Sequence, residues 1–469
     1  MVTRIRTFTR RLLLSALFTA GVACSQTDRT ALDRYVAKPD PSYKYELVKT
    51  LSGPGYTAFV LDLTSQTWRT AAEVDRPVWK HWLTIVKPDR VLSTTGIVFI
   101  GGGSVTSAAP EKPDASAVQA ALATGSVAAS LSGIPNEPLR FRGENRTRTE
   151  DQIIVYTWAK FLKTGDETWP ARLPMTKAVV RAMDTVTAFS ASPAGGAVQV
   201  DKFFVAGASK RGWTTWTTAA VDKRIVGISP IVIDVLNMNQ SMDHHYQAYG
   251  VYSEAVQDYV EMGLMGLPDS KEYRELLKIE EPYSYRARYT MPKLVMNSTG
   301  DQYFLPDSSQ FYFDALPGEK YLRYVPNTNH SLGGSDAIQS VIAFSDAVLK
   351  GRPRPEFSWV FEKNGDIRVT SKSKPAEVKL WAAENPDKRD FRLMTIGHAF
   401  HEKVLQELPG GVYVGHVEKP ARGWAAFFVE LTYPSGGKYP FKFTTAVRVT
   451  PDTLPYPVPP RNSKLADLP

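Results

Sequence analysis

The spacing of apolar residues along the chain changes character twice. From Tyr43 to Val91, short β-type runs (Tyr45–Thr50, Thr57–Leu63, Trp79–Val86) alternate with turn residues such as Ser52-Gly53-Pro54-Gly55, the pattern of an antiparallel meander. Ile97-Val98-Phe99-Ile100 is then an unbroken apolar run ending in Gly101-Gly102-Gly103, as expected of a strand buried on both faces with a sharp exit. Similar runs follow around Val127–Leu131 and at Lys202–Ala206, Val226–Asp234, Lys293–Asn297 and Tyr321–Val325. Between them, apolar residues at helical spacing predict helices over Asp151–Leu162, Met175–Phe189, Trp213–Ala220 and Asp336–Leu349. Strands alternating with helices imply an α/β fold with a mostly parallel central sheet.

Two segments break the alternation. Leu236–Thr290 is rich in Tyr, Met, His and acidic residues and reads as a mostly helical insertion, a cap over about 236–290. From Pro353 the texture turns all-β, with runs such as Val378–Trp381, Trp424–Thr432 and Phe441–Val449 set apart by Pro, Gly and Asn. The expected organisation is therefore an α/β domain over 30–352 carrying the cap, a C-terminal β-sandwich-like domain over 353–452, and an unstructured Pro-rich tail over 453–469.

Composition narrows the function. The 469 residues are 43% hydrophobic and 22% charged, which excludes a disordered or collagen-like chain. Of the formal charge of +8, four units belong to Arg4, Arg6, Arg10 and Arg11. These begin a segment over 1–23 with a basic start, an apolar Leu12–Ala23 stretch too short to span a bilayer, and small residues Gly21 and Ala23 at the −3 and −1 positions of a signal-peptidase site. Export follows, to the periplasm or the exterior. The single cysteine, Cys24, stands directly after that site. Lipidation of Cys24, the one expected route to membrane attachment, and simple cleavage after Ala23 both remain open, because Gly21 occupies the place a lipobox gives to Leu. The remaining chain, with 52 Lys and Arg against 48 acids and no basic stripe, is not expected to bind nucleic acid.

Candidate chemistry centres on Gly207-Ala208-Ser209-Lys210-Arg211-Gly212, placed between a strand and a helix. A strand–turn–helix with Ser at the turn is the context of a nucleophile elbow: small neighbours relieve crowding, and the new helix aims free N–H groups at the hydroxyl. Downstream, one strand runs into Ser298-Thr299-Gly300-Asp301 and the next into Pro326-Asn327-Thr328-Asn329-His330. The order Ser209, Asp301, His330 is that of α/β-hydrolases, with His330 as general base, Asp301 as its orienter, and Asp307 as a reserve acid. The amides of Lys210, Gly102 and Gly103 are the expected oxyanion donors. The elbow departs from G-x-S-x-G: Arg211 takes the second glycine's place, and its side chain needs room.

Taken together with Leu32–Val36, Ile134–Leu139, Arg148–Asp151, Leu173-Pro174-Met175 and Glu430–Pro434, these motifs make the chain similar to the PhoPQ-activated pathogenicity-related family, which also contains autocrine proliferation repressor proteins. The resemblance covers nearly all of the mature chain and implies an α/β-hydrolase core, a C-terminal β module and export, without implying a substrate. The G-x-S-[KR]-x-G elbow resembles that of glucuronoyl and other carbohydrate esterases, which implies that Lys210 adds positive charge near the reaction centre.

Other candidates carry weaker signals. Arg148, in an Arg-rich mixed-charge loop, and His244 and His245, in the cap, are candidate substrate-binding residues. Asp243-His244-His245 does not space its side chains as a metal site would, and neither a metal nor another cofactor is expected. The reading is an exported serine hydrolase acting on a small-molecule ester, glycan ester or peptide. The alternatives are a peptidase rather than a carbohydrate-type esterase, and an exported binding or signalling protein that retains the fold without turnover.

Overall fold

The computed structural model describes residues 29–468 apart from Asn462. The expected signal segment and Cys24 lie outside the described residues. A first helix, α1 (Ala31–Ala37), is closed by a capping box between Thr30 and Asp33. It leads into the meander β1 (Lys44–Gly53), β2 (Tyr56–Thr67) and β3 (Val78–Pro88), paired antiparallel in that order. Next come β4 (Thr95–Ile100), α2 (Ala115–Thr124), β5 (Ala128–Leu131), α3 (Glu150–Thr164), α4 (Arg172–Ala191), β6 (Lys202–Ala208), α5 (Lys210–Val221) and β7 (Ile225–Ile231). The cap follows, with α6 (Met238–Tyr249), α7 (Gln257–Glu261) and α8 (Lys271–Glu280) joined by 3₁₀ turns, and then β8 (Lys293–Ser298), β9 (Lys320–Val325) and α9 (Ala337–Leu349).

The sheet runs β1-β2-β3-β5-β4-β6-β7-β8-β9, with β5, β4, β6, β7, β8 and β9 mutually parallel. The chain goes from β4 outward to β5 and then returns past β4 to β6. The order therefore reverses between β4 and β6, and in open α/β sheets ligands bind outside the carboxyl ends of the strands at such a switch point. Gly101-Gly102-Gly103 and Ser209 are the residues that leave those two strand ends. Alternation along the strands sends Val98, Phe203 and Val205 into the core shared with α4 and α5, and Ile97, Phe204 and Ala206 into the one shared with α2 and α9. The doubly buried runs of the sequence are thus strands covered on both faces.

The C-terminal region departs from the expected separate domain. Its strands are β10 (Phe357–Phe361), β11 (Ile367–Ser371), β12 (Glu377–Asn385), β13 (His401–Val404), β14 (Val412–Gly415), β15 (Trp424–Tyr433), β16 (Phe441–Thr444) and β17 (Arg448–Thr450). Only β10, β11 and β14 form a second, three-stranded sheet. The others extend the central sheet as β9-β16-β15-β12-β13, with β17 on β15, giving 14 strands in all. The junction is made by Thr444 opposite Leu322, by the Tyr324 N–H donating to Thr444 Oγ1 at 3.0 Å, and by Tyr321 stacked on Phe443 at 4.2 Å. The two sheets do pack face to face through Ile367, Val369, Phe427 and Val429, as in a sandwich. The Pro-rich tail is also not loose. The Tyr456 N–H donates to Gln247 O at 3.0 Å, Arg461 pairs with Asp243, and Leu468 is buried. Tail and cap thus fold as one layer.

Beyond the end of β7, Asp234 is buried and accepts hydrogen bonds from the Tyr312 and Tyr324 hydroxyls, both at 2.6 Å. Burial pushes this carboxyl up to about 8; the two tyrosines oppose the shift, and the charges of Asp301 and Asp307 add to it. Its folded-state value lies above the unfolded one, so its stabilising contribution is complete below about pH 4 and is lost as pH rises through about 8. Asp234→Asn, nearly isosteric and never charged, should gain stability over the native chain between pH 5 and pH 8, by at most about 1.4 kcal/mol per pH unit. Thermal melts of both proteins across that range check it; a constant gap at every pH would contradict the assignment.

Candidate active site

Ser209 sits at φ 59° and ψ −129°, a backbone state that costs a non-glycine residue about 1–3 kcal/mol unless its surroundings enforce it. Here they do. The Ser209 N–H donates to Ile231 O at 2.8 Å, and its carbonyl receives the Trp213 N–H at 3.0 Å. The two glycines of the motif let α5 approach the sheet. A Cβ on Gly207 would lie 2.6 Å from Arg211 O, and one on Gly212 would lie 2.8 Å from Ile231 O. Crowding therefore falls at the third residue after the serine, which is why glycine stands there and Arg211 is tolerated at the second.

Gly102 supplies the room that Arg211 needs. A Cβ on Gly102 would lie 2.2 Å from an Arg211 guanidinium nitrogen. Arg211 Nε donates to Ile134 O at 2.6 Å, and its two terminal nitrogens clasp Glu150 at 2.9 and 2.6 Å. Lys210 Nζ meets the same carboxylate at 2.6 Å and Asp151 at 3.3 Å. Burial alone would raise Glu150, but the Arg211 hydrogen bond and the charges of Lys210 and Arg211 outweigh it and bring the carboxyl down to about 2. Glu137, which accepts the Glu150 N–H at 2.6 Å, is driven up to about 7 by burial, with the neighbouring Glu150 charge adding to the rise. The expectation that Lys210 lends its charge to the reaction centre is thus corrected. Lys210 is buried and its ammonium is committed to two carboxylates, leaving its backbone N–H, at the first position of α5, as the group it offers.

The glycine loop lies beside the elbow because Ile100 pairs with Gly207. Gly102 O receives the Gly133 N–H at 2.9 Å, and among the described residues no backbone carbonyl accepts the N–H of Gly102 or Gly103.

The acid and the imidazole come from the loops after β8 and β9. His330 Nδ1 lies 2.8 and 3.0 Å from the Asp301 oxygens, and one of these also accepts the Tyr303 N–H at 2.8 Å. A carboxylate at Nδ1 holds the proton there and turns Nε2 outward as the acceptor. Nε2 is buried and hydrogen-bonded to nothing, Ser209 Oγ included. Catalytic hydrogen bonds are often open without substrate and tighten on binding. Tyr303 packs its ring 4.3 Å from that of His330.

Ser209 and Lys210 floor a cavity together with Asp151. The cap roofs it with Met238, Met242, Val256, Tyr259, Leu264 and Met265. The other candidates lie elsewhere. Asp307 is no reserve acid: it accepts from Arg389 at 2.6 Å and meets His244 Nε2 at 3.0 Å, in a buried cluster that holds its carboxyl far below the usual range despite burial. His245 Nε2 accepts the Ser253 N–H at 2.9 Å, and burial pulls the imidazole down to about 3. Arg148 is buried against Glu144 at 2.6 and 2.8 Å, with its guanidinium over the Tyr156 ring. None of these three lines the cavity, and each is held by neighbours within the fold. Among the described residues, no group of three or more His, Cys, Asp and Glu side chains is placed to hold a metal.

Sequence reasoning missed Arg172, Trp213 and Arg461, all of which line the cavity. Arg172 donates to Lys210 O at 2.7 Å and pairs with Glu280 at 3.3 Å, both buried. Nothing in the sequence sets it apart from the other two cations of α4, Lys177 and Arg181.

A family model described as PhoPQ-activated pathogenicity-related protein matches residues 32–392. Autocrine proliferation repressor protein A of Dictyostelium discoideum is 40% identical over 456 residues, spanning 91% of this chain and 92% of that protein. Among solved structures, the chain is similar to acetyl xylan esterase 1 from Thermoanaerobacterium sp., with TM-score 0.47, 13% identity, and coverage of 68% of this chain and 92% of that one. It is also similar to a glucuronoyl esterase from Solibacter usitatus, with TM-score 0.41, 14% identity, and coverage of 68% and 91%. On the family match and the close relative, the chain belongs to the PhoPQ-activated pathogenicity-related protein family.

Proposed function

We propose that the protein is an exported serine hydrolase that cleaves an ester or amide bond through an acyl-enzyme on Ser209. The observation that carries this reading is a half-buried imidazole whose Nδ1 is committed to Asp301 and whose buried Nε2 is committed to nothing, in a fold that forces Ser209 into a strained elbow. With substrate bound, His330 Nε2 takes the Ser209 proton as Oγ attacks the carbonyl carbon. The developing oxyanion is met by the N–H of Lys210 and those of the Gly102-Gly103 loop. His330 then gives the proton to the departing oxygen or nitrogen. Water repeats the sequence to release the acid, and Asp301 stabilises the imidazolium at each stage. Export is supported by the basic and apolar segment over residues 1–23.

The second reading is an exported signalling protein that keeps the fold without turnover. The name of the Dictyostelium relative and the open Ser209–His330 contact favour it.

A fluorophosphonate probe separates the two. The mature protein should label, Ser209→Ala should not, and Asp301→Asn should slow labelling by about 10³–10⁴-fold. Labelling that persists in Ser209→Ala would sink the mechanism, and no labelling of the native protein would favour signalling. Glu150→Gln should cost about 2 kcal/mol in urea unfolding. Removing one partner of a buried pair strands the cations, and the 40% exposure of the Glu150 side chain moderates the penalty.

A further inference from the structure

The cavity beside Ser209 carries information about what fills it. Every charged side chain that lines it is already paired. Arg172 is held by Glu280, Lys210 by Glu150 and Asp151, and Arg461 by Asp243. Most of the remaining wall is aromatic and aliphatic, with Trp158, Trp213, Tyr259, Tyr273, Met242 and Leu264 among its residues. A charged ligand would have to break one of these pairs. A sugar ring would bring hydroxyls against carbon, each unsatisfied hydroxyl being costly. The space is also narrow, with about 60 Å³ open to the centre of a water-sized sphere, which suits one chain or one ring rather than several linked sugars.

The side of Ser209 on which the cavity lies determines which half of the substrate enters it. Besides Ser209 it is lined by Lys210, whose N–H is the proposed oxyanion donor, and it reaches Tyr303 and Phe304, which pack on His330, but not His330 itself, which must hand its proton to the leaving group. The cavity is therefore placed to receive the acyl half.

We propose, on the serine-hydrolase reading above, that the substrate is an ester whose acyl group is uncharged and apolar, a short to medium aliphatic chain or a single aromatic ring, seated under the cap. Ser209 Oγ bonds to the acyl carbon as the bond from that carbon to the alcohol oxygen breaks, and the Ser209 proton passes through His330 to the alcohol. Water then bonds to the acyl carbon, the bond to Oγ breaks, and the apolar carboxylic acid leaves with the serine restored.

The test is a series of p-nitrophenyl esters, from acetate through butanoate and hexanoate to octanoate, with the mature protein and with Met265→Trp, which narrows the cavity at a half-buried position. kcat/KM should rise about fourfold per added methylene until the cavity is filled. The hexanoate-to-acetate ratio should fall at least tenfold in Met265→Trp, with folding checked by circular dichroism. Should Met265→Trp fail to fold, the native series alone decides. Acetate cleaved as well as or better than hexanoate, by a protein whose Ser209 takes the fluorophosphonate, would overturn the apolar acyl site and leave the serine-hydrolase reading intact. Failure of Ser209 to label, with no ester cleaved, would bring down both.

Discussion

The bidentate pair between Arg211 and Glu150 is the contact on which the rest of the site depends. It joins the first turn of α5, the entry to α3 and, through the missing Cβ of Gly102, the loop leaving β4. Glu150 itself sits at φ 50°, a strained state for a residue with a side chain, and its N–H is taken by Glu137. One carboxylate thus answers two cations, Arg211 and Lys210, while its backbone answers a second acid. Removing any one member leaves a partner stranded in a poorly solvated place, where an unpaired charge is costly. The arrangement also explains how an arginine can follow so closely on the serine: its bulk is drawn along the glycine loop instead of over the hydroxyl.

The same pairing of charge away from the cavity sets the electrostatic character of the whole carboxyl edge of the sheet. Asp234, Asp301 and Asp307 are three buried acids close enough to influence one another. Asp307, facing Arg389 and His244, is held far below the usual carboxylate range, whereas Asp234, offered only tyrosine hydroxyls, is driven up to about 8. Three identical side chains thus answer to their partners: a cation for Asp307, two phenols for Asp234, an imidazole for Asp301. Only the last pairing leaves an imidazole nitrogen buried without a partner.

Much of this was legible in the chain, and the limits have physical causes. The strands at Ile97–Ile100 and Lys202–Ala206 announce themselves because burial on both faces leaves no polar alternation, and the elbow because its turn needs small residues. The order Ser209, Asp301, His330 could be read because each residue follows its own strand, so position along the chain reports position along the sheet edge. His244 and His245 misled because a polar residue on a cap helix looks the same whether it faces a cavity or a buried acid. The partners of His244, Asp307 and Arg389, stand 63 and 145 residues away. The C-terminal boundary was drawn too sharply for a related reason: alternation marks β16 as a strand, but nothing local says that its partner is β9. The tail misled through its prolines, which forbid helix and sheet yet leave Tyr456, Arg461 and Leu468 free to pack on the cap.

The continuity of the sheet gives the C-terminal region a place in the proposed chemistry. Asn327, three residues before His330, exchanges two hydrogen bonds with Phe400, its Nδ2 donating to Phe400 O at 2.8 Å and its Oδ1 accepting the Phe400 N–H at 3.0 Å. Gly300, the residue before Asp301, accepts the Leu393 N–H at 3.0 Å, and a Cβ on Gly300 would lie 2.7 Å from that same nitrogen. One segment thus grips both loops that bring Asp301 and His330 together, and Arg389 just before it anchors Asp307. Loops at a sheet edge are ordinarily the most mobile part of an α/β fold. An imidazole held 2.8 Å from its carboxylate needs supports that are themselves fixed. The β-rich region serves as that support, which is why it is built onto the edge of the central sheet and not hung from it by a linker.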